Sequence, residues 1–415
     1  MDGRVIGSIG STERKKLTGD KMTEEIMRTA DQVIAATYKR FPIVIERGRG
    51  CTVWDTRGRR YTDFVAGIAV CNLGHAHPRI ADAVARQANR LVHVSNLYYT
   101  IPQTELARML VEHSFADRVF FGNSGAEANE AAIKLARKYF NDLGQPERTR
   151  IVSMENSFHG RTMATLSATG QDKIKKGFDP VLGGFSFVPF NDIDALDAAI
   201  DDRTCAVMLE PIQGEGGIRC PDPQFLQQTR ALCDRRGVLM ILDEIQTGMG
   251  RTGTLFAHEH DGVTPDIMTL AKALANGLPI GAMLATERVS AAFGFGAHAS
   301  TFGGTPLVTA AALETLKIMD QEKIVERVRD TGAYFIDALK QLKQRHSRIS
   351  EVRGRGLLLG IQLDGPADGL VGNCMQKGFL VNCVQGDTLR FVPPLIIEKN
   401  EIDLLIQCLD EVLVQ

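Results

Sequence analysis

The sequence predicts an α/β protein whose larger part is a mainly parallel sheet covered by helices on both faces. Three observations carry this. Between about residues 75 and 315, short strand-length runs alternate with helical stretches, the signature of repeated βα units. The runs are apolar throughout, as in Val238-Leu239-Met240-Ile241-Leu242, which suits strands covered on both sides. The length of 415 residues exceeds what one core usually serves, so two domains are expected.

Taken in order, residues 1–21 carry Arg4, Arg14, Lys15, Lys16 and Lys21 among Gly, Ser and Thr. With no apolar core for export they read as a flexible arm, or as sequence upstream of a start at Met22. From 23 to 36 a helical pattern places Ile26, Ala30, Val33 and Ile34 on one side. Ile43-Val44-Ile45, Gly48-Arg49-Gly50 and Thr52-Val53-Trp54, with a turn at Arg57-Gly58, suggest a small meander. The strands of the large sheet are expected at 118–122, 150–154, 185–189, 205–210, 238–243, 266–270 and 281–285, with helices at 126–140 and 224–236. A long amphipathic helix (323–345), strands near 356–361 and 389–392, and a closing helix from Glu401 read as a separate α+β layer. The expected division is an arm (1–21), an N-terminal segment of a small domain (22–74), a large domain (75–318) and a C-terminal part of the small domain (319–415). Ligands on such sheets sit beyond the strand C-termini.

Composition narrows the function. The net charge of -2 offers no broad field for nucleic acid or an acidic membrane. No apolar run is long enough to span a bilayer. The eight cysteines include no C-x-x-C pair, which suits a reducing, cytoplasmic setting better than a disulfide framework or a zinc site. His75-Ala76-His77 and His258-Glu259-His260 lack further ligands at metal spacing, so no metal is expected.

Asp243 closes one apolar strand and Lys272 ends another. A lysine in a dry pocket can form a Schiff base, and an acid opposite it can keep a pyridine nitrogen protonated. Either residue alone is better read as an ordinary strand-end Asp or a surface Lys, and it is the flanking motifs that overturn this. Phe120-Phe121-Gly122-Asn123-Ser124-Gly125-Ala126-Glu127 runs from a strand through a glycine turn into a helix. That start is a seat for phosphate, or a plain cap in which Ser124 and Glu127 form a capping box. Phe158 can stack on a flat ring and Arg161 can grip a carboxylate, although a core Phe and a solvated Arg explain the same residues. Arg390 lies among apolar residues in Leu389-Arg390-Phe391-Val392 and needs a partner if buried; Glu215, in a Gly-rich turn, is a candidate. The alternative there is a structural salt bridge. Asp243 and Ile245 fall on one face by the strand period of two, so Ile245 can lie under a ring that Asp243 holds and Phe158 covers. Gln246 then reaches the ring hydroxyl. Gly248-Met249-Gly250-Arg251-Thr252-Gly253 matches a dinucleotide loop literally, but no clear helix opens after it and Pro265 interrupts the unit.

Together these residues resemble the class III aminotransferases, which use pyridoxal phosphate on the fold type I scaffold. The likeness runs from about Tyr38 to Val412 with its motifs in order. Gly67-Ile68-Ala69-Val70, Leu73-Gly74-His75, His93-Val94-Ser95-Asn96, Phe158-His159-Gly160-Arg161 and Glu210-Pro211-Ile212-Gln213-Gly214-Glu215-Gly216-Gly217 are most similar to the branch acting on N-acetylornithine. The resemblance implies that Lys272 tethers the cofactor and then shuttles a proton, and that Asp243 pairs with the ring nitrogen. It implies that Ser124, Gly125 and Ala126 hold the phosphate with Thr301 from the other subunit of a homodimer. Phe158 would stack on the ring, Ile245 support its other face and Gln246 contact its oxygen. Arg161 and Arg390 would bind substrate carboxylates, with Glu215 a movable partner of Arg390. Two positions depart from the pattern: Ala126 stands where the family usually has Thr, and Thr305 where it often has Asn.

The implied reaction moves the terminal amino group of N-acetylornithine to 2-oxoglutarate, giving N-acetylglutamate semialdehyde and glutamate, and runs in reverse during arginine biosynthesis. Ornithine, succinylornithine, succinyldiaminopimelate and 4-aminobutyrate are competing donors; His159 disfavours ornithine, where a Trp is expected. A dinucleotide-dependent oxidoreductase and a catalytically silent cofactor-binding protein are the competing readings from other classes.

Overall fold

The computed structural model describes residues 19–414. The expected arm therefore falls outside the described residues up to position 18. Gly19–Val33 forms the first helix, starting earlier than the apolar pattern suggests.

Three sheets organise the chain. Strands β1 (Ile45–Arg49), β2 (Thr52–Asp55) and β3 (Arg60–Asp63) form the N-terminal meander, and β13 (Phe379–Leu380) joins it in parallel beside β3. The two ends of the chain thus share one sheet. Strands β4 (Arg118–Gly122), β5 (Arg150–Met154), β6 (Phe185–Val188), β7 (Thr204–Leu209), β8 (Leu239–Asp243), β9 (Ile267–Leu270) and β10 (Gly281–Ala285) form the large sheet in the order β4-β10-β9-β8-β7-β5-β6. The pairs from β9 through β6 are parallel; β10 runs antiparallel to both its neighbours. Strands β11 (Ile349–Arg355), β12 (Leu358–Leu363), β14 (Asn382–Val384) and β15 (Thr388–Phe391) make an antiparallel sheet in the order β11-β12-β15-β14.

The period of two sorts the large sheet's side chains onto two cores. Ala206 and Met208 of β7 and Leu239 and Ile241 of β8 pack with Ala132, Leu135, Ala136 and Phe140 of the 125–142 helix. Val207, Leu209, Met240 and Leu242 pack on the opposite side with Phe225, Leu226 and Leu232 of the 225–236 helix. Every residue of β7, β8 and β9 is buried, which is why these strands read as unbroken apolar runs. The helix Ile324–Arg345 lays Phe335, Leu339 and Leu342 against Leu359, Ile361 and Phe391 of the C-terminal sheet. No helix among the described residues is long and apolar enough to cross a membrane.

Candidate active site

The chain leaving β7, β8 and β9 lines a cavity of about 420 Å³ together with the start of the 125–142 helix. Asp243 is the last residue of β8. By alternation it faces the side of Leu239 and Ile241, where the 125–142 helix lies. Asn129 of that helix donates from Nδ2 to Asp243 Oδ2 at 2.8 Å, and Thr269 Oγ1 of β9 donates to Asn129 Oδ1 at 2.7 Å. His159 Nδ1 lies 2.8 Å from the same Asp243 oxygen, and the Ile245 amide donates to Oδ1 at 3.1 Å. A buried carboxylate is costly unless donors surround it; here three groups fix its position.

Lys272 was expected to end a strand, but β9 stops at Leu270. The chain turns at Ala271, and Lys272 sits at φ +44° at the start of a short 3-10 turn. That left-handed backbone is unusual for a residue with a side chain. Burial lowers the lysine's pKa; Glu215 opposes this, Arg390 reinforces it, and Asp243 and Glu210 oppose it more weakly. Ile245 also lies beyond its strand, so the period of two is not what brings it beside Asp243. Both residues nonetheless line the cavity.

At the helix end, Ser124 caps the 125–142 helix, its Oγ accepting the Glu127 amide at 3.2 Å. The Glu127 carboxylate turns instead to Asn123 Nδ2 at 2.8 Å, so the reciprocal half of a capping box to Ser124 is not made. The first amides of a helix lack intrahelical partners, and Ser124, Gly125 and Ala126 line the cavity there. A Cβ on Gly125 would lie 2.8 Å from Ile245 Cδ1, so the helix start and the turn after β8 meet only because that residue is glycine.

Arg390, on β15, is 1 % exposed. Its Nη1 donates to Glu215 Oε1 at 2.5 Å and to Gln246 Oε1 at 3.2 Å, and its Nε to Asn382 Oδ1 at 3.3 Å. The partner expected from sequence is therefore in place. Burial pushes the Glu215 carboxyl up, but Arg390 and then Lys272 outweigh it and hold it below the usual range. Gln246 Nε2 also reaches Glu215 Oε1 at 3.4 Å, so this amide is engaged by the ion pair at both ends. Phe158 and Arg161 line the cavity, the exposed guanidinium lying 5.6 Å from the Phe158 ring centroid. Thr301 is exposed and does not line this cavity.

Three residues went unassigned by sequence reasoning: His159, read from sequence only as a mark against ornithine, Asn129 and Glu210. Asn129 follows Ala128 on the buried face of its helix, and a buried amide there is itself a signal that a partner lies opposite. Glu210 directly follows the apolar β7 and is 6 % exposed; an acid at the C-terminal end of a buried strand is a comparable signal.

The site gathers a buried acid, a half-buried lysine and the start of a helix around one cavity at the C-terminal ends of parallel strands. The family model for aminotransferase class-III matches residues 33–413, and the chain belongs to that family. It is 51% identical over 375 residues to the acetylornithine aminotransferase of Methanocaldococcus jannaschii, covering 90% of this chain and 94% of that one. The acetylornithine aminotransferase of Caldanaerobacter subterraneus is 52% identical over 378 residues, covering 91% and 96%. Among solved structures, the ornithine aminotransferase of Toxoplasma gondii superposes with a TM-score of 0.92 at 35% identity over 98% of both chains. The N-acetylornithine aminotransferase of Stenotrophomonas maltophilia superposes with a TM-score of 0.81 at 40% identity, covering 94% and 98%.

The chain is accordingly a pyridoxal-phosphate-dependent enzyme. The cavity's donors suit that group: a helix start for a phosphate, an aromatic and an aliphatic side chain for the two faces of a ring, a fixed carboxylate for a ring nitrogen, and an amine with lowered pKa.

Proposed function

We propose that this enzyme moves the terminal amino group of N-acetylornithine to 2-oxoglutarate, reversibly, as in arginine biosynthesis. The observation that carries the reading is the Arg390–Glu215 pair beside Lys272. The two half-reactions need opposite things of one site. The donor carries no carboxylate beside its reacting terminal amine, its one carboxylate lying at the far, acylated end, whereas 2-oxoglutarate presents carboxylates at both ends. A guanidinium masked by a carboxylate suits the first, and the same guanidinium released suits the second. The names of the relatives at about 50% identity support the same substrate.

When bound, pyridoxal phosphate supplies an electron-withdrawing ring that stabilises the negative charge left as a carbon–hydrogen bond breaks. The residues around it do the rest. Lys272 would tether the cofactor, and its free amine would accept the proton from the substrate carbon bearing the amino group. Its lowered pKa favours the neutral, basic form. Asp243, held by Asn129 and His159, keeps the ring nitrogen protonated. Ser124, Gly125 and Ala126 seat the phosphate through backbone groups, Ala126 offering no hydroxyl. Phe158 and Ile245 enclose the ring. Gln246 orients the ring oxygen while bridging to the ion pair, and Arg161 receives the second substrate carboxylate.

The proposed assembly is a homodimer in which Thr301 of each chain completes the other's phosphate seat. Leu97, Tyr99, Ile101, Phe295 and Phe302 support it: all are at least 59% exposed, a density of large apolar side chains that a buried surface explains better than solvent does. Cys51, Cys71, Cys205, Cys220, Cys233, Cys374 and Cys408 are free thiols, consistent with the proposed cytoplasmic location. The segments 22–74 and 319–415 are proposed as one small domain on the large domain 75–318, a grouping that the β3–β13 pairing supports.

The test is a panel of amino donors with 2-oxoglutarate. N-acetylornithine is expected to give the highest kcat/KM, above ornithine, succinylornithine, succinyldiaminopimelate and 4-aminobutyrate. A tenfold advantage for any other donor overturns the substrate assignment.

A further inference from the structure

Glu210 is a buried carboxylate to which no part of the proposed reaction gives a role. It follows β7, and its two oxygens serve two different loops. Oε2 accepts the Phe158 amide at 3.1 Å and Oε1 accepts the Gly214 amide at 3.2 Å. The first loop carries Phe158 and Arg161; the second carries Glu215, the partner of Arg390. Neither loop is held at these amides by a strand ladder. The chain folds Gly214 tightly under Gln246, where a Cβ would lie 2.2 Å from Oε1. The turn is also held by Gln385 Nε2, which donates to the Glu215 carbonyl at 2.7 Å, and Glu210 is the contact that links it to the Phe158 loop.

We propose that Glu210 is a positioning residue that ties the Phe158–Arg161 loop to the Gly214–Glu215 turn, so that Arg161, which receives one substrate carboxylate, and Glu215, which masks the Arg390 receiving the other, keep one spacing. Only an ionised carboxyl does this fully. It accepts at both oxygens, whereas a glutamine or a protonated carboxyl offers a good acceptor at one and a donor at the other. An uncharged side chain would be cheaper to bury in this place, and Glu210 has no cation in direct contact to offset its charge among the ion pairs of the described residues.

The tie also titrates. Burial pushes the Glu210 carboxyl up to about 7; His159 lowers it, Asp243 raises it, and the Phe158 and Gly214 amides lower it. Lys272 faces it from the turn after β9. Above that pH both loops are tied, and below it one is partly released. Dicarboxylate binding then falls as pH drops through 7, while the fold persists.

This rests on the reading of Arg161 and Arg390 as carboxylate sites, and the experiment separates the two. In the wild-type full-length holoenzyme, amide hydrogen exchange of peptides containing Phe158 and Gly214 is measured at pH 6 and pH 8 and corrected for intrinsic rates. Protection is expected to be at least threefold stronger at pH 8 in both peptides. In Glu210→Gln, protection at pH 8 is expected to fall to the wild-type pH 6 level in one or both. Succinate, a non-reacting dicarboxylate, is expected to bind the variant about tenfold more weakly, with no pH step near 7. Protection that changes neither with pH nor in the variant overturns the proposal, whatever the donor panel shows. Changed protection with unaltered succinate binding overturns the link to carboxylate spacing. Should the variant fail to fold, the wild-type exchange series decides alone.

Discussion

Glu215→Gln isolates the charge in the Arg390 pair with little change in shape. Arg390 is 1 % exposed and keeps Gln246 and Asn382 as partners after the substitution. Two unit charges about 4 Å apart interact by about 4 kcal/mol at an effective dielectric constant of about 20. The Glu215 side chain is 28% exposed, and screening reduces the retained share to about 2 kcal/mol. Two consequences follow. The folded protein loses about that much, because a buried guanidinium is left without its counter-charge. The incoming keto acid no longer has to displace a carboxylate from Arg390, so its binding improves by up to about 30-fold, the equivalent of that energy. The N-acetylornithine half-reaction has nothing to gain. The half-reactions are separated by stopped-flow observation of the bound cofactor, alongside a denaturant titration of the same preparations. The ratio of kcat/KM for 2-oxoglutarate to that for N-acetylornithine is expected to rise by about tenfold or more. An unchanged ratio in a destabilised but folded variant would refute the masking role and leave only a structural ion pair.

Two further outcomes follow from the same geometry. Asn129→Ala removes a donor from Asp243 and the acceptor of Thr269; a loss of about 1–3 kcal/mol is expected in urea unfolding, with slower turnover from a less fixed carboxylate. Glu244 is 1 % exposed, and burial raises its carboxyl to about 7 against the donors Ala257, His258 and Thr247. Since the folded value lies above the unfolded one, its contribution is full below the unfolded value of about 4.5 and is lost as pH rises through 7. The loss is about 3 kcal/mol over that interval, and Glu244→Gln should flatten this part of the stability–pH curve measured with guanidinium chloride.

What could be read from the sequence follows the physics of each element. The strands of the large sheet were legible because burial on both faces leaves unbroken apolar runs, and their observed ends differ by a residue or so. Asp243 and Lys272 were legible because strand ends in such sheets face ligand sites. The backbone at Lys272 was not, since nothing in Leu270-Ala271-Lys272 announces a positive φ. Ile245 reached the cavity by a turn rather than by strand alternation. Arg390 and Glu215 could be paired as a charge in an apolar strand seeking an acid, although 175 positions separate them. The Asn129–Asp243–His159 cluster and the two-loop contact of Glu210 depend on tertiary packing between the 125–142 helix, β7, β8 and the loop after β5. No local pattern encodes such contacts; only the cost of burying polar groups hints at them.

The account stands on Lys272 as the point of cofactor attachment. Borohydride reduction of the holoenzyme followed by peptide mapping reads this directly. A single pyridoxyl group on Lys272, absent from Lys272→Ala together with turnover, is the expected result. A label on another lysine, or full turnover without Lys272, would contradict it.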